Sequence, residues 1–184
     1  MSNYKIEEFT ADISVEDYIA GFCDSEKFLN LCKECPNFGN SWGCPPFDYD
    51  QKDYMRQWKY VHLLAVKIIP EEKGLPLSES QAFIRPERIR IERMQLGWER
   101  RYRGRSFAYV GKCLYCSSCT RPSGAPCRHP ELVRPSLEAF GFDIEKTLSE
   151  LFNIELLWGK NNTLPPYLTL VSGFFHNIEN QDIK

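Results

Sequence analysis

The sequence predicts an α+β fold in a single domain, residues 1–184, with a largely antiparallel sheet, helices on one side of it and two cysteine-rich loops at its edge. Three observations lead there. Residues 61–69, Val-His-Leu-Leu-Ala-Val-Lys-Ile-Ile, form a short apolar run stopped by Pro70, the pattern of a buried central strand. Residues 4–13 alternate loosely, and residues 154–158 and 167–175 read as two closing strands. Helix-start signals recur between these strands.

Taken in order, Ser14-Val-Glu-Asp17 is a capping box that opens a short helix which Gly21 can close, and Asp24 caps a second helical stretch over 25–31. Cys23, alone between them, reads as a small buried hydrophobe. Residues 48–59, with Tyr54 and Trp58, suit an amphipathic helix, and His62 at the start of the central run reads as a packed histidine. Residues 71–80, with Gly74 and Pro76, make a loop. From Pro86 a helix is expected whose inward stripe is Ile91, Met94, Trp98 and Tyr102. Residues 106–110 then run as a strand into the main cysteine loop. After it, Pro135 suits the first turn of a short helix ended by Gly141, and Asp143 caps another helix running to about Leu151.

A chain of 184 residues with 42% hydrophobic and 14% aromatic content can bury a core without covalent staples, so its eight cysteines are surplus to folding. The N-terminal residues show neither a basic start nor an apolar segment of signal-peptide type, and no stretch is long enough for a membrane span. The expectation is a cytoplasmic protein with no membrane partner. Cysteines in that setting serve metal binding or catalysis ahead of disulfides. Net charge is −2, yet residues 85–134 hold twelve Lys and Arg against four Glu, a balance of +8 that leaves −10 on the remainder.

The main loop, 113–127, reads Cys113-Leu-Tyr-Cys116-Ser-Ser-Cys119-Thr-Arg-Pro-Ser-Gly-Ala-Pro-Cys127. Four thiols this close converge on one centre only if the backbone coils tightly, and Pro122, Gly124 and Pro126 supply bends. Cys-x2-Cys-x2-Cys is the opening of the bacterial ferredoxin run, although the fourth cysteine stands at x7 instead of x3 and is followed by Arg128, not Pro. Zinc commonly takes Cys-x2-Cys pairs, and a third cysteine in the run exceeds that need. An earlier loop, 32–47, carries Cys32, Cys35 and Cys44 with Gly39, Gly43 and Pro45-Pro46. It has only three thiols, so it takes a fourth ligand from elsewhere or joins the later cysteines at a shared site.

Cys32-x2-Cys35-Pro-x-Phe-Gly-x3-Gly-Cys44-Pro-Pro, followed by Cys113-x2-Cys116-x2-Cys119 and Gly124-x-Pro-Cys127-Arg-x-Pro-Glu-x2-Arg134-Pro-Ser-x-Glu-Ala-x-Gly141, resembles a cysteine-rich family of predicted metal-binding proteins, a domain of unknown function (2284). The resemblance spans about residues 28–175. It implies a small prokaryotic cytoplasmic protein with Cys32, Cys35, Cys44, Cys113, Cys116, Cys119 and Cys127 as metal ligands, and it implies no reaction. Cys23 matches no motif position.

Three readings follow, in order. The first is an iron–sulfur protein, with a 4Fe-4S cluster on Cys113, Cys116, Cys119 and Cys127 and a second one conceivable at the earlier loop, that transfers electrons to a redox protein partner or serves a redox enzyme. Lys112, Arg121 and Arg128 would compensate the anionic cluster. The second is a structural zinc module. The third is an enzyme whose three-thiol group at Cys32, Cys35 and Cys44 leaves a coordination position open for substrate. The phosphate-loop, nucleophile-elbow and dinucleotide signatures are all missing, and no catalytic residue can be named. His129 reads as a loop histidine ahead of a ligand. Nucleic-acid binding by the basic stretch is less favoured, because Phe107 and Tyr109 lie on one face of an expected strand and serve the core.

Overall fold

The computed structural model describes residues 3–108, 113–179 and 183. The chain runs β1 (Tyr4–Ser14), α1 (Val15–Phe22), α2 (Ser25–Lys33), α3 (Gln51–Met55), β2 (Tyr60–Pro70), α4 (Ser80–Tyr102), β3 (Arg105–Phe107), α5 (Ile144–Phe152) and β4 (Leu168–His176). The four strands form one sheet in the order β1-β2-β4-β3, and every neighbouring pair is antiparallel. The α+β class and the antiparallel sheet are as expected, and the apolar run is indeed central, flanked by β1 and β4.

Alternation along β2 sorts its side chains between two cores. Val61, Leu63 and Ala65 join Tyr18 and Phe22 of α1, Leu148 of α5, Phe140 and Phe142. Leu64, Val66 and Ile68 join Phe83 and Ile91 of α4, with Leu170. The sheet is therefore the middle layer. The expected helices on one side are α1 and α5, and α4 adds a second covered face. That face is partly polar: Gln95 Nε2 donates to Ser172 Oγ at 2.7 Å, and His62 bonds Asp12 at 2.8 Å while standing edge-on to Trp98 at 5.6 Å. His62 is thus a packed histidine.

The helix starts are local. Ser14 accepts from Asp17 N, Asp24 from Lys27 N, Asp50 from Asp53 N and Asp143 from Lys146 N, each satisfying a backbone donor that the first turn leaves free. Four sequence expectations change. Helix α4 begins at Ser80, not at Pro86, because Phe83 is buried and meets Tyr4 at 5.9 Å. Packing there outweighs the missing proline N–H, whose acceptor would be the carbonyl of the exposed Ala82. Helix α3 is only five residues long, since the chain turns at Arg56 so that Trp58 can pack on Phe175. Residues 154–158 pair with no strand: Ile154 and Leu156 pack on the α1–α5 core instead. The stretch from Pro135 holds a single 3-10 turn, Glu138–Phe140, closed by Gly141 at φ 92°. A Cβ on Gly141 would stand 2.8 Å from Ser25 Cα, so glycine is what lets this turn dock on α2. Of the expected strand 106–110, β3 accounts for the start, while Tyr109 and Val110 fall outside the described residues.

Candidate metal centre

The earlier cysteine loop grows from the end of α2. Cys32 sits on the last turn, and Cys35 N–H donates to Cys32 O at 3.0 Å, followed by Phe38 N–H to Cys35 O at 3.0 Å. Gly39, at φ 67°, turns the chain so that its N–H reaches Pro45 O at 2.8 Å, which closes the loop on itself. Cys32 and Cys44 are half-buried and Cys35 is exposed. Burial pushes the Cys32 thiol up, helped by Cys35, Cys44 and the buried Glu138 carboxyl. Burial also raises Cys44, against the nearby Ser41 hydroxyl, which lowers it.

In the main loop, Cys113, Cys116, Cys119 and Cys127 are all half-buried and free, and together they line one cavity of about 190 Å³. Ser41 and Trp42 of the earlier loop, with Thr120 and His129, complete its wall. Among the described residues no three His, Cys, Asp or Glu side chains meet at single-ion spacing. The four thiols stand around a space. Backbone donors reach sulfur at two of them: His129 N–H to Cys127 Sγ at 3.4 Å, and Tyr115 N–H to Cys113. Burial, then the proximity of Cys127, Glu92 and Cys116, raises the Cys113 thiol above its ordinary value. Metal uptake by a thiol raised in this way releases a proton.

Arg121 makes one body of the two loops. Its guanidinium donates to Ser41 O at 2.8 Å and also to Cys44 O and Pro46 O, and it lies over the Trp42 ring at 5.3 Å. Trp42 Nε1 in turn donates to Thr120 Oγ1 at 3.2 Å. Across this seam Cys119 lies close enough to Cys44 to contribute a little to the rise of its thiol. Arg128 donates to Ser118 O at 3.0 Å within the main loop. Both arginines thus orient backbone carbonyls, a role sequence reasoning missed, since it treated them only as nearby charges. Lys112 lies outside the described residues.

The segment after Cys127 is an anchor. Arg134 donates to both Glu99 carboxylate oxygens, at 2.7 and 2.6 Å, and to the carbonyls of Val133 and Glu131. Ser106 adds N–H and Oγ bonds to the same Glu99 oxygen, so α4, β3 and the loop exit share one carboxylate. A second tie joins α4 to the loop, a hydrogen bond between Glu92 and Tyr115. Cys23 stands apart from all of this. Its Sγ contacts Ser25 Oγ at 3.3 Å and Phe140 O at 3.6 Å, beside the α1–α5 core.

The structure is thus an α+β domain in which Cys113, Cys116, Cys119 and Cys127 all line one cavity. Residues 13–172 match the model of a family described as predicted metal-binding protein, DUF2284, and the chain belongs to that family. The match takes in α1, upstream of the motifs themselves. No curated protein and no solved structure matches the chain. No helix among the described residues is long and apolar enough to cross a membrane.

Proposed function

We propose that the protein is a cytoplasmic iron–sulfur protein that transfers electrons or serves a redox enzyme as an accessory, with a 4Fe-4S cluster on Cys113, Cys116, Cys119 and Cys127. The observation that carries this reading is the common cavity of about 190 Å³ walled by those four thiols. One water takes about 30 Å³ in the liquid, so the space suits a group of several atoms better than one ion. An all-sulfur donor set is the soft ligation that iron–sulfur clusters and zinc both accept. When bound, such a cluster would supply reversible one-electron chemistry.

The residues around it have distinct tasks. The N–H groups of His129 and Tyr115 donate to ligand sulfur, which stabilises added negative charge. Trp42 limits water access on the side of the earlier loop, and Arg121 fixes that wall in place. The test is anaerobic purification followed by iron, sulfide and zinc analysis with a visible spectrum. Iron and sulfide with broad charge-transfer absorption are expected; colourless protein with stoichiometric zinc would replace this reading with a structural zinc module.

The arginines give a second measurement. Arg121→Ala and Arg128→Ala are each expected to lower the midpoint potential in protein-film voltammetry. Arg121→Ala should also speed iron loss to a chelator by about tenfold, because it frees the seam between the loops. Unchanged potentials in both variants would leave these side chains as clasps of backbone carbonyls with no part in tuning a centre.

One observation favours a further reading, an enzyme with an exchangeable site at Cys32, Cys35 and Cys44. Cys32 and Cys35 border a largely apolar cleft of about 680 Å³ that also reaches Glu138, a volume typical of small-ligand pockets. Cyanide or thiol titration of the reconstituted protein would perturb a centre at this group and leave a fully ligated one unchanged.

A further inference from the structure

Helix α4 presents a row of cations that the fold does not use. Arg85, Arg93 and Arg100 are exposed, and among the described residues none has a carboxylate within ion-pair distance, unlike Arg88, Arg90 and Arg134. At 3.6 residues per turn the three fall within roughly one quarter of the helix circumference. Their span of fifteen residues corresponds to about 22 Å at 1.5 Å per residue. They line a groove of about 460 Å³ whose opposite wall is Leu114 and Tyr115, the two residues between Cys113 and Cys116.

We infer that this groove between α4 and the main cysteine loop is the docking surface for a small acidic electron-carrier protein. The inference rests on the electron-transfer reading for the nature of the partner, and on the groove itself for its charge and extent. Cations spread over about 22 Å cannot converge on one phosphate, so the complement is an extended anionic surface. Ile89 and Leu96 put an apolar strip between the arginines, and arginine and tyrosine around an apolar centre is the anatomy of a protein interface. A nucleic-acid strand fits less well. The groove offers one aromatic side chain, Tyr115, where a strand held by its bases stacks on several. Docking here brings a partner against the two residues that separate ligand cysteines, which shortens the path to the centre.

The test uses the full chain and an acidic plant-type 2Fe-2S ferredoxin as probe, with affinity measured by titration calorimetry at low and moderate salt. Wild-type protein should bind at low salt and lose affinity as salt rises. The triple variant Arg85→Gln, Arg93→Gln, Arg100→Gln should bind about tenfold more weakly or worse, while Arg56→Gln, away from the groove, should bind as wild type. Circular dichroism checks the fold of the triple variant; should it fail, Arg93→Gln alone is scored against the same control. The inference is overturned by lack of binding at low salt, by affinity that the groove variants leave unchanged, or by a single-stranded oligonucleotide that binds tighter with the same arginine dependence. Metal analysis of the same samples separates the two readings. Zinc in a protein that still binds the ferredoxin through the arginines removes the electron-transfer role and keeps the surface.

Discussion

Cys116→Ala is expected to abolish metal binding at the main loop, while Cys23→Ala keeps the wild-type metal content. Cys116 shares its cavity wall with Cys113, Cys119 and Cys127, and its loss leaves a gap in a donor set contained within fifteen residues. Such a short segment closes at little entropic cost, so this group should hold metal more tightly than one recruiting a thiol from the distant earlier loop. Cys23, by contrast, has its thiol engaged with Ser25 and the Phe140 carbonyl, and it belongs to the packing of α1. Metal-to-protein ratios for the two purified variants decide the matter. Equal loss in both would show that the ligand assignment is wrong.

Arg134→Met should cost about 3–5 kcal/mol of folding stability, the usual penalty for stranding one member of a buried ion pair. The Arg134 and Glu99 side chains are 6% and 12% exposed, so solvent screens the pair little. A loss of that size is a large share of the roughly 5–15 kcal/mol that holds a typical domain folded. Urea denaturation of metal-free protein at pH 7 measures it. The pH dependence adds a check. Burial alone would raise the Glu99 carboxyl, but hydrogen bonds from Arg134 and Ser106 and the guanidinium charge outweigh it and hold the group below its ordinary value. A depressed carboxylate contributes stability that is fully present above its unfolded pKa, about 4.3, and is lost as pH falls through the folded value. The gap between wild type and Arg134→Met should therefore narrow on acidification below about pH 4.3. A gap under about 1 kcal/mol at pH 7 would mean that the pair acts as an exposed one.

Much of the fold is legible because its signals are local. The capping residues Ser14, Asp24 and Asp143 and the apolar run before Pro70 each carry their message within a few positions. Helix α4 was harder to read for two reasons. A proline rule applied at Pro86 competes with the burial of Phe83 three residues earlier, and only the packed sheet shows which wins. Its inner face also buries Glu87, Arg88, Glu92 and Gln95 beside Ile91 and Trp98, so a hydrophobic stripe understates what it packs against. At the candidate site, cysteine spacing pointed to the thiols, because ligand loops are short. The contacts of Arg121 with carbonyls 75–80 positions away follow no periodicity, and the anchoring of Arg134 to Glu99 spans 35 positions. Such pairings are set by where β3 and the loop exit deliver the chain, which local pattern does not reveal.

The Arg121 seam has a consequence for dissection of the molecule. The carbonyls it grips precede α3, whereas the arginine follows β3, so the central strand β2 and the long helix α4 are threaded between the two halves of a single wall. Neither cysteine loop excised as a peptide would carry that wall: the earlier one lacks its clasp, and the later one lacks Ser41 and Trp42. The wall is thus a property of the uncut chain: a cut between Pro46 and Arg121 would leave its two halves on separate fragments, joined by the Arg121 and Trp42 contacts and by the rest of the fold.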